Sequence, residues 1–137
     1  MGIKDAAHAE TVTNGSLPFI SKLSCPLTGE TRAVKIFPGT AVFQAYKKEA
    51  VLEQFNCSYG LNETYRGTMR NRTLKIVGID SNGEARIVEL SGHRFFVATL
   101  FLPQLSSSVE APHPLIKAYM KAAVAFQSHK HAAGGGK

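Results

Sequence analysis

Residues 95–127 read FFVATLFLPQLSSSVEAPHPLIKAYMKAAVAFQ, and this stretch decides the fold. Phe95 to Leu102 is almost continuously apolar, the pattern of a strand covered on both faces. Pro114 stands where a helix begins, because its fixed φ suits the first helical position and its missing N–H is no loss there. Leu115, Ile116, Tyr119, Met120, Ala123 and Val124 follow at helical spacing and form one apolar face. Lys117, Lys121 and Gln127 fall largely outside that stripe, which predicts a core contact rather than a membrane anchor.

Two more strands lead into this stretch. Leu74 to Ile79 is rich in β-branched residues and is closed by the turn Asp80-Ser81-Asn82-Gly83. Ala85 to Leu90 follows, and Ser91-Gly92-His93 turns the chain toward Phe95. Three strands joined by short turns predict an antiparallel meander. Further upstream the pattern weakens. Arg32 to Phe37 alternates as a strand and ends at Pro38-Gly39. Ala41 to Phe55, carrying Val42, Tyr46, Val51, Leu52 and Phe55, reads as helical turns, and Asn56 to Leu61 as a short extended piece. The stretch up to about Pro26 has little periodicity and holds turn formers such as Asn14-Gly15, with room for a short extended segment over Leu17 to Ile20. There is no internal repeat. SHKHAAGGGK, from Ser128 to Lys137, predicts disorder, since small polar residues and three glycines cannot bury a core. The expectation is one domain over residues 1–130 and a disordered tail over 131–137, because 137 residues suffice for one domain and not for two.

Composition removes several function classes. With 44% hydrophobic and 19% charged residues the chain reads as an ordinary soluble globular protein. No apolar run approaches the roughly 18 residues that span a bilayer. MGIKDAAHAE lacks the apolar segment of a secretory signal, so Cys25 and Cys57 are expected as free thiols in a reducing, cytoplasmic setting. On that reading the glycosylation-type triplets at Asn56, Asn62 and Asn71 are accidental. A net charge of +6 favours anionic partners, but the basic residues are dispersed and carry no aromatic alternation, which argues against nucleic acid. His8, His93 and His113 lack metal-ligand spacing, and His129 with His131 make a weak pair at most, so no metal and no other cofactor is expected. The terminal Gly-Gly-Gly-Lys has no framing strand and helix and is not a phosphate loop.

The pattern of residues 95–127 resembles the end of the class I glutamine amidotransferase domain of CTP synthases. There a WFVACQFHPEF-like strand, a Ser/Thr-rich loop and HPLFAGFVKAA lead into a closing helix. The likeness runs without a gap through Pro103, His113, Pro114, Leu115, Lys121, Ala122 and Ala123. Residues 74–98, LKIVGIDSNGEARIVELSGHRFFVA, are similar to that family's strand-turn-strand approach. EQFNCSYGLN, residues 53–62, stands where the family has ERHRHRYEVN, matching at Glu53, Tyr59 and Asn62 but not at the arginines and histidines. GIKDAAHAE resembles the linker that follows the nucleophile helix. The implied fold is α/β: the C-terminal portion of a flavodoxin-like amidotransferase domain, with an antiparallel meander and a C-terminal helix.

The resemblance also implies a chemistry that these residues do not support. In the family a cysteine at a strand-to-helix elbow attacks the glutamine amide, a histidine activates the thiol, and a glutamate orients the histidine. Here the aligned residues are Leu102-Pro103-Gln104. Leucine takes no proton, and a neutral glutamine cannot stabilise an imidazolium. The elbow is expected before residue 1, and no G-x-C-x-G motif occurs in the 137 residues. Cys57 aligns with a histidine beside the glutamine pocket, and Asn56 and Ser58 occupy arginine positions, so a cation suited to the substrate carboxylate is gone as well. Short stand-alone proteins resembling only this C-terminal region, some of them selenoproteins, also end the strand as ATLF-x-PQ and match better.

These readings predict a pseudoenzyme that binds a small-molecule ligand or a partner and does not by itself hydrolyse glutamine; pyrimidine metabolism enters through the resemblance alone. One alternative is altered thiol chemistry in the remnant pocket, with Cys57 as the catalytic group and Tyr59, Asn62 and Gln104 as polar neighbours. Another is the amidotransferase part of a CTP synthase-type system. Tyr59, Asn62 and His113 are the candidate pocket-lining residues, and His113 is expected to shape the loop before the last helix. For Cys57 and Cys25 the plain alternative is a small buried thiol. A truncated sheet leaves an open edge and an exposed apolar face, which predicts association with a missing N-terminal half or with another copy of the chain. Residues 17–37 offer the other solution, completing a small sheet within the chain.

Overall fold

Alternation of buried and exposed side chains, rather than one long apolar run, builds the sheet. The computed structural model describes residues 6–11, 17–69 and 73–134. Its strands are β1 (Ile20–Lys22), β2 (Glu30–Ile36), β3 (Ala50–Phe55), β4 (Tyr59–Leu61), β5 (Leu74–Ile79), β6 (Ala85–Leu90) and β7 (Val97–Thr99). The helices are α1 (Ala41–Tyr46), α2 (Arg66–Met69) and α3 (Pro114–Gly134), with single 3-10 turns at Glu63–Tyr65 and Pro103–Ser106. Five strands form one antiparallel sheet in the order β3-β2-β5-β6-β7, and β1 pairs with β4 in a separate ribbon.

The meander β5-β6-β7 is present where the pattern predicts it. The β5–β6 turn is held by one side chain. Asp80 Oδ1 accepts from the Asn82 and Glu84 N–H groups, and Gly83 supplies the left-handed φ of 79°. Asp80 Oδ2 accepts two bonds from the buried guanidinium of Arg86. The register shifts at Val77, so β5 bulges there and turns Val77 into the core. Val34 and Ile36 of β2, Phe55 of β3 and Ile87 of β6 join it, and Val42 of α1, Phe101 and Leu115 of α3 close the same cluster. Phe55 and Phe101 meet edge-to-face at 5.8 Å, an arrangement worth about 0.5–1.5 kcal/mol beyond the area it buries.

Three expectations change. The 41–55 stretch is not one helical segment: α1 stops at Lys47, which adopts a left-handed conformation (φ 56°, ψ 29°), and residues 50–55 become β3. Val51, Leu52 and Phe55 fit a helical spacing, whereas on a strand only Val51 and Phe55 share a face; pairing of Ala50 through Phe55 with Lys35 through Glu30 decides for the strand and leaves Leu52 exposed. Second, 95–102 is not a strand covered on both faces. Only Val97–Thr99 pairs with β6, Ala98 is exposed, and the chain leaves the sheet to bridge β3 at Phe101↔Phe55. Third, the α3 stripe is not a core contact beyond Leu115. Ile116, Tyr119, Met120 and Val124 are 36–58% exposed. The helix also runs on through residues predicted to be disordered, as far as Gly134, and residues 135–137 lie outside the described ones. Among the described residues no helix is long and apolar enough to cross a membrane. Of residues 17–37, β2 joins the meander through Lys35↔Ile79 and Ile36↔Gly78, while β1 pairs with β4 outside the main sheet.

Gly78 sits at the tightest point of this packing. A Cβ there would lie 2.7 Å from two side-chain carbons of Ile87, which is 1% exposed and has no room to retreat. Gly78→Ala is therefore predicted to cost about 1–3 kcal/mol in urea unfolding. Gly67→Ala, in α2 with open space around it, is predicted to leave stability unchanged or raise it.

Candidate functional site

β3 and the segment after β7 run side by side, and this brings Leu102 and Gln104 close to a buried polar cluster. The Leu102 N–H donates to the Gln54 carbonyl at 3.0 Å. Leu102 is half-buried, Gln104 is exposed, and both flank Pro103 at the start of the 3-10 turn. In β3, Val51, Glu53 and Phe55 share the inward face, so a carboxylate is inserted between two core residues.

Glu53 is 3% exposed and is met only by donors. The Tyr46 hydroxyl donates to Oε1 at 2.5 Å, His113 Nε2 lies 3.1 and 3.2 Å from the two oxygens, and the Ser106 hydroxyl reaches Oε2 at 3.4 Å. His113, also 3% exposed, has its tautomer set by its other nitrogen. Nδ1 accepts the Leu115 N–H at 3.2 Å, so the proton is on Nε2 and faces the carboxylate. The Tyr46 oxygen, 3.1 Å away, shares that Nε2–H. Burial, then the hydrogen bond to Glu53 and the charge of Glu53, raise the Tyr46 hydroxyl far above the ordinary tyrosine value and keep it protonated. The cluster ties α1, β3, the 3-10 turn and the entry to α3 together. Glu53 and His113 are shut off from solvent, Tyr46 is half-buried and Ser106 lies at the exposed rim, and both imidazole nitrogens are occupied.

The sequence-predicted residues are distributed differently. The Cys57 Sγ–H donates to the Tyr59 carbonyl at 2.9 Å, and the thiol is half-buried. A carbonyl oxygen accepts S–H but offers nothing to a thiolate. The Tyr59 ring packs on His8 at 4.9 Å. Asn62 is used structurally: Nδ2 donates to the Pro18 carbonyl, and Oδ1 accepts from the Thr64 N–H to cap the 3-10 turn. Among the described residues, no hydrogen bond or ion pair joins Cys57, Tyr59 or Asn62 to Leu102, Gln104 or His113. No group of three or more His, Cys, Asp or Glu side chains suited to a metal occurs among the described residues. Sequence reasoning missed Ser106, saw Tyr46 only as an apolar position of a helical stretch, and saw Glu53 only as a pattern match. The available signal was a carboxylate at an inward position of an alternating strand.

Removing one partner leaves the buried Glu53–His113 pair with fewer bonds than the fold supplies. Glu53→Gln turns an amide N–H₂ toward donors and is predicted to cost about 1–3 kcal/mol in chemical denaturation. Tyr46→Phe is predicted to cost about 1 kcal/mol near neutral pH and to alter the alkaline limb. An unfolded chain ionises this phenol near its ordinary value of 10.0, whereas the fold holds it protonated. The stability it contributes is whole below that pH and falls as pH rises above it, so the variant should lose stability less steeply above pH 10.

No protein-family model matches the chain. Curated relatives do. It is 35% identical over 103 residues to CTP synthase of Helicobacter pylori, covering 72% of this chain and 19% of that enzyme. It is 37% identical over 98 residues to CTP synthase of Pelotomaculum thermopropionicum, covering 71% and 18%. With CTP synthase of Nostoc punctiforme the identity is 31% over 135 residues, 91% of this chain and 25% of the enzyme. The chain thus spans about a fifth to a quarter of the relatives it matches. Among solved structures, the glutaminase domain of Trypanosoma brucei CTPS with bound acivicin superposes with a TM-score of 0.81 at 24% identity, over 90% of this chain and 52% of that one. A GMP synthase subunit from Thermoplasma acidophilum gives 0.60 at 11% identity, over 82% and 51%. The fold is that of a class I glutamine amidotransferase, and in sequence the chain is similar to the C-terminal glutaminase region of the CTP synthases.

Proposed function

We propose that this chain is an amidotransferase-like pseudoenzyme region: it keeps the frame of the glutaminase fold, does not hydrolyse glutamine, and serves to bind a ligand or partner. The observation that carries the reading is Leu102-Pro103-Gln104 at the position of the catalytic base and its orienting carboxylate. A compensating base would have to come from nearby, and His113 with Glu53 is the only His–carboxylate pair buried in the described part of the fold. That pair does not substitute. A general base needs a free nitrogen within reach of the proton it takes, and His113 has neither a free nitrogen nor access. Altered thiol chemistry at Cys57 fares no better, since its sulfur lies against a carbonyl rather than a cation or a helix N-terminus.

The partner reading rests on coverage and on α3. The chain corresponds to 52% of the solved glutaminase domain, and the helix presents Ile116, Tyr119, Met120 and Val124 outward. An apolar stripe of that kind is suited to packing against the N-terminal half of such a domain; self-association is the competing use of the same face.

Ammonia release from glutamine tests the first statement. The full chain is predicted to give none above buffer, and Cys57→Ser is predicted to change nothing. Turnover that disappears in Cys57→Ser would overturn the reading. Alkylation adds a second measure: iodoacetamide is predicted to modify the exposed Cys25 faster than the half-buried Cys57, and a reversed order would restore Cys57 as a nucleophile.

A further inference from the structure

Between α1 and the start of α3 lies an open groove of about 540 Å³, walled on one side by Phe95 and Pro112. Lys47, Lys117 and Lys121 all line it, and no carboxylate does. Lys117 and Lys121 are one turn apart on α3 and so lie on one face. Lys47 approaches from the end of α1, its ammonium held by the side chain of Gln44, which also lines the groove. None of the three is in an ion pair among the described residues.

Two of these lysines occupy positions that local physics disfavours. Lys47 is the one non-glycine residue with positive φ among the described residues, at a helix end where glycine fits without strain. Lys117 stands in the first turn of α3, where the helix dipole favours acidic side chains, and no acidic residue is there. Local rules broken twice, each time to bring a cation to the same concave surface, mark a functional position rather than a solvated face.

We propose that this groove binds a small anion carrying two or more linked phosphate groups, with Lys47, Lys117 and Lys121 contacting the phosphates and Phe95 and Pro112 flanking the uncharged part. Lysine serves phosphate as a point charge, and three ammonium groups without carboxylate partners around one concavity favour a multivalent anion. The site is separate from the Leu102–Gln104 region and stands whether or not glutamine is hydrolysed.

Calorimetric titration of the full chain with inorganic tripolyphosphate at near-physiological salt tests it. Saturable one-to-one binding is expected, weakened about tenfold or more by Lys117→Gln with Lys121→Gln, as loss of charged hydrogen bonds implies. Lys22→Gln, a lysine exposed on β1 away from the groove, is expected to leave affinity within about twofold, which separates a site from net charge. Lys47→Gly supplies a variant that cannot fail through unfolding. It relieves the left-handed backbone, so its thermal midpoint should hold or rise while affinity falls. Absence of saturable binding, an equal loss in Lys22→Gln, or unchanged affinity in Lys47→Gly would each overturn the proposal.

Discussion

Glu53 places a carboxylate where the core would otherwise be apolar, between Val51 and Phe55 on the inward face of β3. Such a group is tolerated only when donors surround it, and the donors come from three places in the chain. Tyr46 ends α1, Ser106 ends the 3-10 turn, and His113 precedes α3. Satisfying one buried carboxylate therefore fixes where α1 stops, how the 103–106 turn lies on β3, and the point at which α3 starts. The aromatic core follows the same geometry, with Phe101 between Phe55 and the His113 ring.

The same constraint shows what holds the 102–106 segment on β3. The segment that carries a histidine and a glutamate in the active relatives is anchored here by its backbone, through Leu102 N–H to Gln54, and by Ser106 to Glu53. Neither contact uses the side chain of residue 102 or 104. On the proposed reading, leucine and glutamine at these positions forgo a proton acceptor and its orienter without touching the two contacts that anchor the turn.

What is legible in the sequence is what local chemistry dictates. β5, β6 and their turn lie at the predicted residues because Asp80 and Gly83 specify the turn by themselves. β3 reads as helix because Val51, Leu52 and Phe55 follow the helical period, and only pairing with β2 shows that Leu52 belongs to the exposed face. The α3 stripe announces amphipathicity without saying what covers it, and Leu115 alone reaches the core. Leu102 and Gln104 are visible through alignment of one motif. The Glu53 cluster is not, since its partners lie 7, 53 and 60 residues away and no periodicity connects them.

The state of one imidazole tests the account most directly. Long-range ¹⁵N–¹H NMR of the His113 ring at neutral pH should show a single neutral tautomer with the proton on Nε2, exchanging slowly with water. A mixture of tautomers in fast exchange with solvent would mean that His113 is accessible and free to move protons, and would contradict the reading of this cluster as a structural clamp.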